Sequence, residues 1–370
     1  MDTRKGREDM ERNDVIVAYG MDAAAMAREV LRAARIEELI GRRDARIAFK
    51  PNLVTAAPAE QGGTTHPALL EGAIGYLKEQ GFERISIVEG SWVGERTARA
   101  FEACGYAELA RRTGVRLIDT QRDGAHEVDC AGMRLQVCDC VREIDFLIGV
   151  PVLKGHCQTG VTCALKNMKG LIPNAEKRRF HAMGLMKPIA HLNAGIRQDF
   201  VLVDALCGDL NFEEGGNPVR RGQVLGFRDP VLCDAWACRE MGYDLDEVPY
   251  VGLAAALGVG SADLGAARVT EVNRPEAVAR PPKPARRVAA LSRCVREQEA
   301  CSACYASLIC ALERLDGEGV PTPREVCIGQ GFRGKAGDVG VGACTAGFAH
   351  SVGGCPPRAA DVLAFLRGLR

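Results

Sequence analysis

Apolar positions in the first half of the chain alternate between short continuous runs and longer stretches with a helical period. The runs "DVIVAYG", "ARIAFK" and "RISIVEG" are typical of buried strands, whereas Ala23 to Ile40 and His66 to Gln80 repeat apolar residues every three or four positions. Strands that alternate with helices favour a parallel sheet, because each parallel connection needs a long crossover. The pattern predicts an α/β fold with a mainly parallel sheet covered by helices.

The alternation continues beyond this point, and the elements it predicts are a helix over Thr97 to Arg112, a strand at "VRLIDT", a hairpin between Glu127 and Val137, strands at "IDFLIGV" and "DFVLVDAL", and a helix over Asp234 to Met241. Two segments lack periodicity: the charged residues from Lys177 to His191, and the glycine-rich "EEGGNPVRRG". We expect both to be irregular connections.

A change in composition marks a domain boundary near residue 273. The segment "NRPEAVARPPKPARR", residues 273–287, is rich in proline and arginine and has no periodicity, which is typical of a linker. The sequence therefore predicts an α/β domain with a polar, anion-binding crevice over residues 1–272. A small cysteine-rich module, residues 288–370, follows the linker.

Composition and charge exclude several classes of partner. Lysine plus arginine equals aspartate plus glutamate at 48 each, so no global field draws the chain to nucleic acid or an anionic membrane. Aromatic residues make up 5% of the chain, which disfavours a base-stacking surface. The first residues lack the apolar core of a signal peptide, and "YVGLAAALGVG" is too short to cross a bilayer. We expect a cytoplasmic protein.

Polar residues follow several predicted strands. Lys50 and Asn52 end one strand, Ser91 follows another, and Lys154 and His156 follow "IDFLIGV". Because ligands of open α/β sheets bind beyond the carboxyl ends of the strands, these residues are expected to share one crevice. Lysines would bind an anion there, and a histidine titrates near neutral pH and can move a proton. The alternative is that the lysines are solvated and His156 is structural.

The segment "PVLKGHCQTGVTCALKNMKGLIP", residues 151–173, predicts an anion cradle. Thr159 or Thr162 can cap the helix that follows, whose free N–H groups attract negative charge. The predicted catalytic residues are His156, Lys154 and Lys50, and the predicted substrate-binding residues are Asn52, His66, Ser91, Thr159, Thr162, Lys166, Asn167 and His181.

The chain contains 16 cysteines, too many for a disulfide framework in a large protein of a reducing compartment. Free cysteine packs as a small hydrophobe. We expect simple burial for the scattered ones, which are Cys104, Cys130, Cys138, Cys140, Cys207, Cys233 and Cys238.

Four C-terminal cysteines have the spacing of metal ligands. Cys301 and Cys304 form a CxxC pair, and Cys344 and Cys355 lie in glycine-rich sequence, with a proline after the last. Loops of this kind leave backbone N–H groups free to bond cluster sulfurs, which favours one [4Fe–4S] cluster; zinc and unliganded thiols are the alternatives. "GQGFRG" matches a nucleotide-binding GxGxxG, but no helix is predicted after it, so we interpret it as a flexible loop around the cluster.

The motif at residues 151–173, together with "EKRRFH", "KPN", "FRDPVLCDAWACREMG" and the C-terminal cysteines, resembles the iron–sulfur-associated family known as domain of unknown function 362. The resemblance implies an α/β domain coupled to an iron–sulfur centre, without an established reaction. It singles out as motif positions Lys50, Asn52, Lys154, His156, Lys166 and Asn167. The chain lacks the CxxCxxCxxxCP runs of a two-cluster ferredoxin insert, so a two-cluster electron relay is not expected.

Three functions are compatible with these features. The first is a redox or cluster-assisted enzyme, a [4Fe–4S]-dependent oxidoreductase being one form, that acts on a small carboxylate or phosphate. The second is an electron-transfer or cluster-carrying protein with a protein partner and no turnover of its own. The third is a zinc-stapled binding module. The first predicts that the cysteines lie next to the crevice.

Overall fold

The computed structural model describes residues 10–275 and 287–369. Most of the predicted linker, including residues 276–286, lies outside the described residues, as do residues 1–9. None of the described helices is long and apolar enough to span a membrane.

The strands in the described ranges are β1 (Asp14–Tyr19), β2 (Ile47–Pro51), β3 (Ile85–Glu89), β4 (Arg116–Asp119), β5 (Ala125–Cys130), β6 (Met133–Cys138), β7 (Phe146–Val150), β8 (Lys154–His156), β9 (Gly160–Thr162), β10 (Phe200–Asp209), β11 (Pro218–Phe227), β12 (Arg268–Glu271), β13 (Val295–Glu297), β14 (Val326–Ile328), β15 (Val339–Val341) and β16 (His350–Val352).

The α-helices in the same ranges are α1 (Ala23–Ala33), α2 (Ile36–Ile40), α3 (Pro67–Glu79), α4 (Thr97–Ala103), α5 (Tyr106–Thr113), α6 (Ala164–Asn167), α7 (Asn174–Ala182), α8 (Met186–Gly195), α9 (Pro230–Met241), α10 (Pro249–Ala256), α11 (Arg287–Leu291), α12 (Ser302–Gly317) and α13 (Ala359–Gly368).

An eight-stranded sheet lies at the centre of the first part, in the order β12-β1-β11-β10-β7-β2-β3-β4. Strands β10, β7, β2, β3 and β4 run parallel to one another, whereas β11 is antiparallel to both β1 and β10. The predicted α/β class with a mainly parallel sheet is confirmed. The parallel half brings the carboxyl ends of β2, β3 and β7 to one edge.

Two apolar layers cover the two faces of this sheet. Along β1, Val15 and Val17 belong to one buried cluster, whereas Ile16 and Ala18 belong to the other. Successive side chains of a strand point to opposite faces, so a strand covered on both faces must be apolar at nearly every position. This explains the continuous apolar runs in the sequence.

Several predicted boundaries are wrong for local reasons. The predicted helix over residues 23–40 is interrupted where Arg35 has a φ of 52°, and the one over residues 97–112 is interrupted where Gly105 has a φ of 79°. The supposed connection over residues 177–191 forms most of α7 and α8, because Phe180 and Ile189 bury an apolar face against the sheet layer. The end of "EEGGNPVRRG" begins β11, whose pairing with β10 is a long-range contact.

The C-terminal part contains its own parallel sheet, in the order β13-β14-β15-β16. Its apolar cluster is built around Leu308 and Leu312 of α12 and also includes Phe212 from the α/β part. Gln158 donates from Nε2 to the carbonyl of Ala300 at 3.0 Å. The C-terminal part therefore packs against the polar motif.

Candidate functional site

A buried ion pair lies where β2 and β3 end. Lys50 Nζ is 2.8 Å from Glu89 Oε1 and donates to Asn167 Oδ1 at 3.2 Å, while Asn167 Nδ2 donates back to the Lys50 carbonyl at 2.9 Å. Burial lowers the pKa of Lys50, and Glu89 opposes that shift. Gly170 makes room for the pair, since a Cβ there would lie 2.2 Å from Glu89 Oε1. Glu89 was not among the site residues predicted from the sequence.

Lys154 is a fully buried anchor. Its Nζ donates to Asn52 Oδ1 at 3.0 Å and to the carbonyls of Gly63 and Glu213 at 2.5 and 2.6 Å. Burial lowers its pKa to about 7. All three ammonium hydrogens are thus directed at protein oxygens, and the side chain joins β8 to two loops.

His156 lies next to the carboxylate of Glu213, a residue that was not predicted from the sequence. Its Nδ1 accepts the backbone N–H groups of Gln158 and Thr159, both at 3.0 Å, so the neutral ring carries its proton on Nε2. That nitrogen lies 3.1 Å from Glu213 Oε2 without pointing at it. Burial lowers the pKa of His156 to about 4, so the ring is neutral at pH 7. It is placed to position Glu213.

Glu213 lies between Lys166 and His156 and contacts both. Its Oε2 accepts from Lys166 Nζ at 2.6 Å. Burial acts to raise the pKa of this carboxyl, but the adjacent Nε2–H of His156 and the Lys166 ammonium hold the pKa well below its usual range. Glu213 is therefore an anion that neutralises Lys166.

The predicted anion cradle at the start of a helix is wrong. Helix α6 has only four residues, its N-cap is Cys163, and neither threonine caps it. Thr159 Oγ1 donates to the Val161 carbonyl, and the Leu165 N–H at the head of the helix donates to Asp234 Oδ2 at 3.2 Å. A protein carboxylate already occupies the place predicted for a ligand.

A half-open cavity of about 120 Å³ lies between the ends of the strands and the cysteine-rich part. The predicted residues that line it are Lys50, Asn52, Thr162, Lys166, Asn167, His181, Cys301, Cys304 and Cys355. Those that do not line it are Lys154, His156, Thr159, His66, Ser91 and Cys344.

Several polar groups on the cavity wall have no partner among the described residues. Trp92 Nε1, Thr162 Oγ1 and His181 Nδ1 are buried atoms without a hydrogen bond. Lys169 makes no hydrogen bond or ion pair to the described part of the chain, and burial lowers its pKa to about 7. Burial lowers the pKa of His181 to about 2, so it is neutral. Buried polar groups without partners are uncommon in folded proteins, so we expect a ligand or ordered water in the cavity to satisfy them.

Two predicted binding residues are occupied elsewhere. His66 pairs with the buried Asp204, with Nδ1 to Oδ2 at 2.8 Å; burial opposes the charged ring, but Asp204 leaves the pKa of His66 raised. Ser91 Oγ donates to the Leu53 carbonyl at 2.7 Å. Both side chains hold the strand ends in place.

The four C-terminal cysteines surround one small cavity. Cys301, Cys304, Cys344 and Cys355 all line it, together with residues of the "GQGFRG" loop. Arg333 from that loop donates from Nε to Cys344 Sγ at 3.4 Å. Four thiols around one space, with glycine backbone and a cation beside them, fit a cluster that needs four thiolates and N–H donors.

The scattered cysteines are buried, as predicted. Burial raises the pKa of Cys138 to about 12 and also raises that of Cys238 well above its ordinary value, which makes these thiols unreactive. Cys163 and Cys233 lie 3.6 Å apart, sulfur to sulfur, and with Asp234 they form a buried group whose ligand atoms lie within 4.8 Å of one another.

Comparisons with known proteins identify a family. A solved structure of the lactate racemase apoprotein from Thermoanaerobacterium thermosaccharolyticum is similar at a TM-score of 0.41 and 12% identity, covering 60% of this chain. The match spans 56% of that protein's length. No curated protein matches the sequence. Residues 47–239, more than half of the chain, match the family described as Domain of unknown function (DUF362), and the chain therefore belongs to the DUF362 family.

Proposed function

We propose that the protein is an iron–sulfur enzyme that acts on a small anionic substrate in the cavity beside its cluster. The observation that carries this proposal is that Cys301, Cys304 and Cys355 line both the cysteine cavity and the polar cavity. Arg178 also lines both. A cluster and a substrate would thus be in adjoining spaces.

The cluster would be held by Cys301, Cys304, Cys344 and Cys355, and would supply an electron or a Lewis-acidic iron. Arg333, beside Cys344, would offset part of the thiolate charge. The thiols of Cys301 and Cys304 are half-buried, and burial raises the pKa of both. Iron coordination would deprotonate them, as metals do for coordinated thiols.

Within the polar cavity, the residues divide into binding and positioning groups. Lys169 would bind the anion, because its ammonium makes no ion pair or hydrogen bond with the described residues and Glu213 acts on it only from a distance. Trp92 Nε1 and Thr162 Oγ1 would donate hydrogen bonds to it. Lys169 can also release a proton near neutral pH, the role first assigned to His156. His156 would keep Glu213 in place beside Lys166.

The affinity for small anions is expected to fall as the pH rises through 7. Burial lowers the pKa of Lys169 to about 7, so its ammonium is charged below that pH and neutral above it. Loss of one charge-assisted contact weakens binding by about tenfold. Calorimetric titration with acetate at pH 6 and pH 8 measures the change. In Lys169→Met the two affinities should be equal, and a remaining tenfold difference would assign the titration to another group.

The proposal is tested by iron, zinc and acid-labile sulfide analysis after anaerobic purification. We expect about four iron and four sulfide per wild-type chain, lost in Cys344→Ala. Cys294→Ala is the matched control, because Cys294 is a half-buried thiol of the same C-terminal part that does not line the cysteine cavity. Cys294→Ala should keep its iron. Zinc without sulfide, or iron that survives Cys344→Ala, would overturn the proposal.

A further inference from the structure

Part of the wall of the polar cavity is apolar. Leu53 and Val54 follow β2, and Trp92 and Val93 follow β3; all four line the cavity. The backbone N–H of Trp92 donates to the Val54 carbonyl at 3.3 Å, which joins the two segments into one wall. A substrate that is polar throughout would leave this surface without a partner, so the wall indicates an apolar part of the ligand.

One lysine of the cavity is left without a partner among the described residues. Lys50 is neutralised by Glu89 and Lys166 by Glu213. Lys177 Nζ is directed at the carbonyls of Gly90 and Ser91, at 3.0 and 2.7 Å. Lys169 is then the cavity lysine that remains without a partner in the described ranges, and it is joined by donors of Trp92 and Thr162. Arg178 also lines the cavity, but it is exposed and acts on the Cys301 thiol in the adjoining cysteine cavity, so we assign its charge to the cluster thiolates. The remaining ammonium with two neutral donors suits a carboxylate better than a phosphate dianion.

The size of the cavity limits the ligand. Its volume is about 120 Å³. An engineered apolar cavity of about 150 Å³ in another protein holds benzene, so a body of benzene size is near the upper limit here. A nucleotide or coenzyme would have to extend through the open side of the cavity into solvent.

From these three features we infer that the site binds a small monocarboxylate with an apolar body, its carboxylate on Lys169 and its body against Leu53, Val54, Trp92 and Val93. This inference rests on the proposed function and names its substrate class. Each methylene that enters the apolar wall should tighten binding about fourfold. Inorganic phosphate, which has no apolar part, should bind more weakly than any of the longer carboxylates.

Anaerobic calorimetry with the iron-loaded full chain tests the inference, with acetate, butyrate, hexanoate, benzoate, phosphate and the neutral hexanamide as probes. We expect hexanoate to bind at least tenfold more tightly than both acetate and hexanamide. Lys169→Met should abolish the preference of hexanoate over hexanamide and retain hexanamide binding, which shows that the variant is folded. Lys187→Met, at an exposed lysine outside the cavity, should match wild type.

Three results would overturn the inference. Equal affinity for acetate and hexanoate would show that the ligand needs no apolar body. Tighter binding of phosphate than of the carboxylates would show that the site is not selective for a carboxylate. An unchanged preference of hexanoate over hexanamide in Lys169→Met would show that Lys169 does not bind the carboxylate. All three leave the proposed iron–sulfur enzyme intact if iron and sulfide are present, whereas a protein without iron or without any anion affinity would contradict the proposed function itself.

Discussion

Replacing Glu89 with alanine is expected to lower the free energy of unfolding by about 3–5 kcal/mol, because the change leaves the Lys50 ammonium buried without its carboxylate. The two side chains are 1% and 3% exposed. Burial already lowers the pKa of Lys50, and removal of Glu89 lowers it further. Since the unfolded chain protonates this lysine below its ordinary pKa of 10.5, the deficit should shrink as the pH rises towards that value. Urea unfolding followed by circular dichroism measures both effects.

Two further variants make this result specific. In Lys50→Met/Glu89→Leu both charges are absent, and much of the lost stability should return. Glu79→Ala removes an exposed partner of Arg28; the side chain of Glu79 is 59% exposed and that of Arg28 is 30% exposed. This change should lower the free energy of unfolding by less than about 1 kcal/mol. A Glu89→Ala protein as stable as Glu79→Ala would mean that Lys50 is neutral in the folded state and that the pair is only a hydrogen bond.

Glu213→Gln is expected to change stability and anion affinity in opposite directions. The substitution removes the counterion that lies 2.6 Å from Lys166, whose side chain is 7% exposed. Without an added anion, we expect a loss of about 3 kcal/mol in the free energy of unfolding. Because Lys166 lines the cavity, its freed ammonium should raise the affinity for acetate by at least about tenfold. Calorimetry and thermal unfolding, each with and without acetate, measure the two changes.

The neighbouring Glu214 supplies the matched control. Burial and the adjacent Glu213 raise the pKa of Glu214 to about 8, so this carboxyl is largely protonated at pH 7. Glu214→Gln therefore replaces one neutral group with another and should alter neither stability nor affinity by more than a small amount. Acetate at 100 times its dissociation constant should restore about 2.7 kcal/mol to Glu213→Gln. A Glu213→Gln variant that loses stability without gaining affinity would place Lys166 out of reach of ligands.

The sequence predicted the location of the site better than the roles within it. Strand ends at Lys50 and Asn52 and the motif from Lys154 onward pointed to the observed edge of the sheet, because residue periodicity determines where strands end. The same reasoning placed His156 in the crevice as a proton carrier, whereas its Nδ1 accepts two backbone N–H groups and its other nitrogen lies 3.1 Å from Glu213 Oε2. Only the fold shows which side of an imidazole is free.

The residues that the sequence interpretation missed differ in how strong a signal the sequence carries for them. Lys169 lies three residues after Lys166 in the same motif, so its helical spacing was a usable signal. Glu213 lies 47 residues from Lys166 in a glycine-rich turn without a recognisable pattern, and no local rule links the two. Trp92 follows a strand as Ser91 does, but an aromatic residue at that position is equally typical of packing.

The sequence by itself determined the α/β class and the family, because periodicity and a long motif are properties of neighbouring positions along the chain. It also singled out, from their spacing and glycine-rich surroundings, the four cysteines that share a cavity. The tertiary structure decided which charges cancel. Lys50 meets Glu89 and Lys166 meets Glu213 through pairings of distant segments, which leaves Lys169 without a partner in the described part of the chain. Whether a lysine is a site or a structural element depends on that pairing, since a buried charge acts on a ligand only when no protein group has already neutralised it.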